Sequence, residues 1–195
     1  VLAIDAVSVR RGSTLTLHNI SLNVAAGSTV AVVGESGAGK STLIAAVLGP
    51  VVAQGETIAP DTLTNLCERL ELSIELLDRR PGEVSIGQAQ RAGILRALIA
   101  ESPLVLFDEP LSALDAVTQK YTARLIAELQ SERGFASLIV THDLGYAAAY
   151  GDEIAVLRAG HIEEVTASHN FVAQPLTEYG CTLRNAAIAL GALQA

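Results

Sequence analysis

The sequence predicts an α/β fold: a mostly parallel sheet, an antiparallel β part at the N-terminus, and a reduced helical part between the first and second halves. Three observations lead there. The runs "STVAVVG", "PLVLFDE" and "SLIVTHD" are continuous and apolar, as strands buried on both faces are. Helical patterns lie between them, and strands that alternate with helices form parallel sheets. Residues 1–27 instead alternate apolar and polar, with Ile20, Leu22 and Val24 pointing one way and Gly12 and Gly27 as punctuation. Two or three antiparallel strands are expected there.

The elements follow in order. "ESGAGKSTLIAAVLG" is a glycine-rich turn opening a helix that stops near Gly49-Pro50. Asp61 is placed to cap a helix through Arg69, and Ser73 to cap a short one to Leu77. "SIGQAQRAGILRALIA" carries Ile94, Leu95 and Leu98 on one helical stripe, with Cys67 upstream on a helix face. A long amphipathic helix starts at Asp115 and ends at Gly134; a short one, "LGYAAAYG", follows the third buried strand. "EIAVLRAGHIEEV" reads as a hairpin turning at Ala159-Gly160, and the tail ends in a helix over "RNAAIALGALQ". The 195 residues suit a single domain. It comprises an antiparallel β part (1–30), a core (31–60 and 101–165), a reduced helical part (61–100) and a C-terminal tail (166–195).

Half of the residues are hydrophobic and 17% are charged, which excludes a disordered chain. The formal charge of −8, with no massed basic residues, argues against nucleic acid as a partner. Cys67 and Cys181 lack metal-ligand spacing, so a reducing compartment without a disulfide framework is expected. No apolar run reaches membrane-spanning length and no signal peptide is recognisable.

"GESGAGKS", Gly34 to Ser41, satisfies G-x-x-x-x-G-K-[ST] between a buried strand and a helix, the context this phosphate loop requires. Gly34, Gly37 and Gly39 let the backbone wrap with its N–H groups inward, and Glu35, Ser36 and Ala38 complete the loop. The helix N-terminus adds positive potential. Lys40 supplies a charge for the β- and γ-phosphates, Ser41 a hydroxyl for Mg²⁺, and Thr42 reaches the α-phosphate. The fold class narrows to a P-loop NTPase core that takes a nucleotide's phosphates and Mg²⁺. Asp108 and Glu109 end a buried strand; Asp108 is the metal carboxylate and Glu109 the general base for the attacking water. His142 ends another buried strand, at the sheet edge where open α/β folds bind ligands, and is assigned a γ-phosphate contact. His18, His161 and His169 are read as surface residues.

The ordered set "GESGAGKST", "VSIGQAQR", "LVLFDEP", "SALD" and "THD" resembles an ATP-binding-cassette (ABC) ATPase over nearly the whole chain. A narrower likeness, to peptide and nickel importer ATPases, rests on "SALDAVTQ" and "QPLTEYGCTL". The resemblance implies the ATP-hydrolysing subunit of a transporter, cytoplasmic and peripheral on the inner face of the membrane, with transmembrane permease subunits as partners. It also implies a homo- or heterodimer of two cassettes stacked head to tail around two ATP molecules. Ser85, Gly87 and Gln88 would then serve the partner's ATP, and Asp115 would line the dimer interface.

Three features depart from the resemblance. Ile86 stands where the family signature has glycine, and Arg11 where an aromatic stacks on adenine; this arginine either stacks in its place or is solvated. Only 45 positions separate Lys40 from Ser85, so a glutamine loop and the transporter-gripping part are expected to be missing, Gln54 lying too near the phosphate-loop helix to replace it. Two alternatives accompany the transporter ATPase reading. One is a weakly hydrolysing regulatory half of a heterodimer; the other is a soluble ABC protein of a non-transport complex.

Overall fold

The computed structural model describes residues 1–48 and 60–193. The sequence expectations for Gly49-Pro50 and Gln54 lie outside these residues. Strand β3 (Thr29–Val33) is buried at all five positions, as its unbroken apolar run requires. It pairs in parallel with β5 (Ala136–Thr141) on one side and β6 (Glu153–Arg158) on the other. Beyond β5, β4 (Leu104–Asp108) adds a fourth parallel strand; beyond β6, β7 (His161–Ala167) closes the sheet antiparallel. The order is β4-β5-β3-β6-β7. The β6–β7 turn falls at Ala159 and Gly160, both at positive φ (45° and 79°), as expected of a tight hairpin.

Strands β1 (Leu2–Arg11) and β2 (Thr14–Val24) form a separate antiparallel pair, two strands where two or three were predicted. Ile20, Leu22 and Val24 are buried and pack with Val30, Val32 and Leu138 of the main sheet. Helix α1 (Lys40–Leu48) adds Leu43 and Ile44 to this layer. The opposite side chains of β3, Ala31 and Val33, pack with α5 (Leu144–Tyr150), α6 (Ser168–Ala173) and α7 (Glu178–Ala189). The sheet is therefore covered on both faces.

The middle of the chain is helical. Helix α2 (Pro60–Arg69) packs on α3 (Ile86–Ile99), and both join α4 (Ala116–Arg133) and β4 in one core that includes Leu66, Leu95, Leu98, Phe107, Ile126 and Leu129. Arg69 holds α2 to α4 by two hydrogen bonds to Glu132, at 2.8 and 3.0 Å. Tyr121 donates its hydroxyl to the Arg69 carbonyl. Cys67 is buried, and burial raises its thiol pKa.

Some elements differ from expectation. Asp61 lies inside the first turn of α2, which begins at Pro60; proline at a first helical position starts the helix without losing a hydrogen bond. Ser73 precedes a short 3-10 turn (Ile74–Asp78) but its side chain makes no capping bond. Helix α6 was not predicted. It is held by Phe171, fully buried, a burial worth about 1.5–3 kcal/mol. The terminal helix begins six residues earlier than "RNAAIALGALQ" suggests, at Glu178, because Thr177 caps it by accepting from the Gly180 N–H. His169 is exposed, whereas His18 is half-buried and stacks on His161 at 4.4 Å.

Candidate functional site

Three strand ends converge. The phosphate loop leaves β3, Asp108 and Glu109 leave β4, and Thr141 and His142 leave β5, which lies between the other two. One cavity of about 380 Å³ gathers Ser36, Gly37, Gly39, Lys40, Ser41 and Thr42 with Asp108 and Glu109. Arg11 and Thr16, from the tip of the β1–β2 pair, line it as well.

Backbone sterics shape the loop. Gly39 has φ +109°, which an L side chain rarely adopts, and a Cβ on Gly34 would collide with the Leu157 carbonyl. Gly34, Glu35 and Ala38 do not line the cavity; their carbonyls tie the loop together instead. Lys40 Nζ donates to the carbonyls of Gly34 (2.7 Å) and Glu35 (3.0 Å), and the Ala38 carbonyl accepts from Gly160 N–H (2.9 Å). In this state the lysine charge rests on its own loop.

Strand alternation would send Asp108 and Glu109 to opposite faces. Both nevertheless line the cavity, because Glu109 has φ +48° and the strand ends at Asp108. Such a backbone costs about 1–3 kcal/mol and persists only where neighbours hold it. Here Glu109 N–H donates to the Val140 carbonyl, and the Glu109 carbonyl accepts from Gln90 Nε2 and Ser112 Oγ. Its carboxylate is fixed too. Oε2 accepts from Thr141 Oγ1 (3.3 Å), and Oε1 lies 2.9 Å from His142 Nδ1. His142 thus meets Glu109 and is not among the residues lining the cavity.

Gln90 and Thr141 carry functional geometry that sequence reasoning missed. Gln90 also accepts from Ala113 N–H, so one α3 side chain bridges the Glu109 backbone and the segment before α4. The available signal was the second glutamine of "SIGQAQR".

Ser85, Gly87 and Gln88 lie away from the cavity, at the start of α3. Ser85 and Gln88 form a reciprocal capping box: Ser85 Oγ accepts from Gln88 N–H (3.2 Å) and Gln88 Oε1 from Ser85 N–H (2.9 Å). Gly87 packs beside Leu114. Ile86 is 77% exposed, so its side chain leaves the helix start open rather than covering it. Asp115 caps α4, accepting from the Val117 and Thr118 N–H groups (both 3.1 Å) and from Thr118 Oγ1 (2.6 Å).

The Thr118 hydroxyl, followed by its backbone N–H, holds the Asp115 carboxyl below its ordinary value of 3.8. A depressed folded pKa stabilises the protein above the unfolded value, and that contribution is lost as the pH falls through it. Asp115→Ala is therefore expected to lower Tm by about 2–4 °C at neutral pH. Thermal melts should show the gap from wild type narrowing below pH 3.8. A gap independent of pH would contradict the charged cap.

Comparison with known proteins adds three findings. The family model described as "ABC transporter" matches residues 17–70 and 59–112. Among curated relatives, an Fe(3+) ions import ATP-binding protein of Rhodococcus jostii is 29% identical over 223 positions, covering 90% of this chain and 64% of the relative. One of Serratia marcescens is 32% identical, covering 83% and 61%. An aliphatic sulfonates import ATP-binding protein of Burkholderia cenocepacia is 34% identical, covering 82% and 61%. The chain thus spans less than two thirds of the length of these relatives. An alignment of 223 positions that takes in 90% of 195 residues requires residues in the relative that this chain lacks. Among solved structures, the dimeric MJ0796, a bacterial ABC transporter cassette, superposes with a TM-score of 0.73 at 22% identity, covering 85% of this chain and 98% of that one.

Proposed function

The chain carries a domain of the ABC transporter family, and from that premise we propose that it binds ATP with Mg²⁺ at the phosphate loop and hydrolyses it, Glu109 acting as general base. The observation that carries this reading is the single cavity that joins the loop from Ser36 to Thr42 with Asp108 and Glu109. Lys40 leaves the Gly34 and Glu35 carbonyls for the β- and γ-phosphates, an exchange of neutral acceptors for charged ones. Thr42 serves the α-phosphate. Arg11 lines the same cavity, which favours its stacking on adenine over a purely solvated role.

The oxygens of Ser41 and Asp108 suit a hard cation, and both line the cavity beside Lys40. Among the described residues no group of three or more His, Cys, Asp or Glu could hold a metal alone, so Mg²⁺ needs the nucleotide's phosphates as further ligands. When bound, it neutralises charge on the β- and γ-phosphate oxygens. Glu109 accepts the proton of the attacking water. With its proton on Nδ1, His142 donates to Glu109 Oε1 and holds that carboxylate aimed, while the rest of the ring is free to meet the γ-phosphate.

A second cassette completes the arrangement. Exposed Ser85 and half-buried Gly87 and Gln88, beside an exposed Ile86, would face the partner's ATP, with Asp115 at the interface. Transmembrane permease subunits at the inner face of the cell membrane are the proposed further partners. No helix among the described residues is long and apolar enough to cross a membrane. The relatives are named for iron and sulfonate import, so the narrower peptide or nickel likeness rests on "SALDAVTQ" and "QPLTEYGCTL" alone.

Calorimetric titration with Mg-ATP tests the binding half: one site per chain is expected, and no heat in a folded preparation would overturn it. The weakly hydrolysing, regulatory reading has one observation in its favour, the isoleucine at the signature. Ile86→Gly is expected to increase ATP-driven dimerisation about 3- to 10-fold by removing an exposed, bulky side chain from the surface that would face the partner cassette. Sedimentation velocity with Mg-ATP checks it, and an unchanged dimer fraction would make Ile86 neutral.

A further inference from the structure

A second pocket, about 250 Å³, lies against the phosphate loop and is lined by Glu35 to Ala38 together with Arg158, Ala159 and Tyr179. Tyr179 belongs to the first turn of α7. That turn is anchored: buried Glu164 of β7 accepts from the N–H groups of Leu176 and Thr177, and Thr177 caps the helix. The Arg158 guanidinium sits 4.5 Å over the Tyr179 ring, a cation–π contact that fixes the ring from the sheet side. Tyr179 is 9% exposed, and its hydroxyl is shut off from solvent without a hydrogen-bond partner. Burial, followed by the nearby Glu35 carboxylate, raises its pKa. A buried hydroxyl without a well-aligned partner is costly, and one held in place beside the phosphate loop is poised to acquire a partner in another state.

Glu35 connects this pocket to Lys40. Its carbonyl is one of the two acceptors on which Lys40 rests. We propose that Tyr179, clamped by Arg158, is a positioning residue for the phosphate loop: it takes hold of Glu35 when Lys40 turns to the nucleotide, so that the C-terminal helix stabilises the ATP-bound loop. This rests on the ATP-binding reading above. Glu35 already lies within reach of the hydroxyl, and the well-aligned bond forms in the loaded state and so shifts the loop toward it. The ring, by contrast, supports the loop in both states.

Tyr179→Phe in the full chain removes the hydroxyl and keeps the ring under Arg158. A merely structural tyrosine would leave this variant as stable as wild type or more so, with unchanged kinetics. The positioning role expects KM for Mg-ATP to rise about 3- to 10-fold, the loss of one hydrogen bond, with kcat within about twofold and Tm not lowered. Amide exchange of residues 34–40 without nucleotide should quicken about tenfold in Tyr179→Ala and stay at the wild-type rate in Tyr179→Phe. Should Tyr179→Ala not fold, Arg158→Gln takes its place in the exchange measurement. Wild-type KM in Tyr179→Phe overturns the proposal while leaving ATP binding intact. If wild type itself takes up no ATP, the ATP reading fails first, and loop exchange unaffected by the loss of the ring removes the remaining support.

Discussion

Glu109→Gln is expected to bind Mg-ATP as wild type does, to lose turnover by about 10²–10⁴-fold, and to accumulate as an ATP-bound dimer. The reason is local. The amide is isosteric with the carboxylate and can still meet Thr141 Oγ1 and His142 Nδ1, but it cannot take a proton from water. The backbone that aims it, φ +48° and tied through Val140, Gln90 and Ser112, does not depend on the charge. Affinity and catalysis therefore separate at this residue. Phosphate release, equilibrium binding and sedimentation read the three consequences. Turnover within about twofold of wild type would remove Glu109 from the role of base.

Lys40→Ala is expected to act on binding itself. The lysine is the loop's one strong cation and loses two carbonyl contacts when it turns to phosphate. A charged hydrogen bond is worth about 1.5–3 kcal/mol, so losing it weakens ATP affinity by roughly 10- to 150-fold. The fold should survive, because Lys40 is half-buried at the helix start and its aliphatic stem crosses no core cluster. Titration of the variant with Mg-ATP measures the loss; wild-type affinity would mean that the loop holds something other than a polyphosphate.

Much of this site is legible in the sequence, because its chemistry is covalently local. Glycines, lysine and serine at fixed spacing build the loop whatever the rest of the chain does, and the apolar runs of β3, β4 and β5 place it at one sheet edge. Asp115 and Gly134 likewise mark both ends of α4 by their own side-chain and backbone chemistry. What is not legible depends on contacts between distant segments. That Asp108 and Glu109 share one cavity requires the positive φ of Glu109, which Gln90 and Val140 hold in place. Helix α6 exists because Phe171 finds a buried site, and Ser73 forgoes its cap because a 3-10 turn follows it. Arg11 gains its place at the cavity only from the way the β1–β2 pair lies over the loop.

Motif spacing makes the stretch between Lys40 and Ser85 short, and the alignment of 223 positions to a longer relative requires residues that this chain lacks. Helices α2 and α3 nonetheless close their own core against α4 and β4. The residues from α2 to α3 are therefore packed into the same body as β4, the strand that Glu109 leaves. Gln90 then links α3 directly to the Glu109 backbone.

The most direct test of the central claim is phosphate release from ATP by the purified chain, with and without Mg²⁺, beside Glu109→Gln under the same conditions. Release that requires Mg²⁺ and disappears in the variant is the expected result. Release that persists in Glu109→Gln, or its absence from a folded wild-type chain that binds ATP and dimerises, would contradict it.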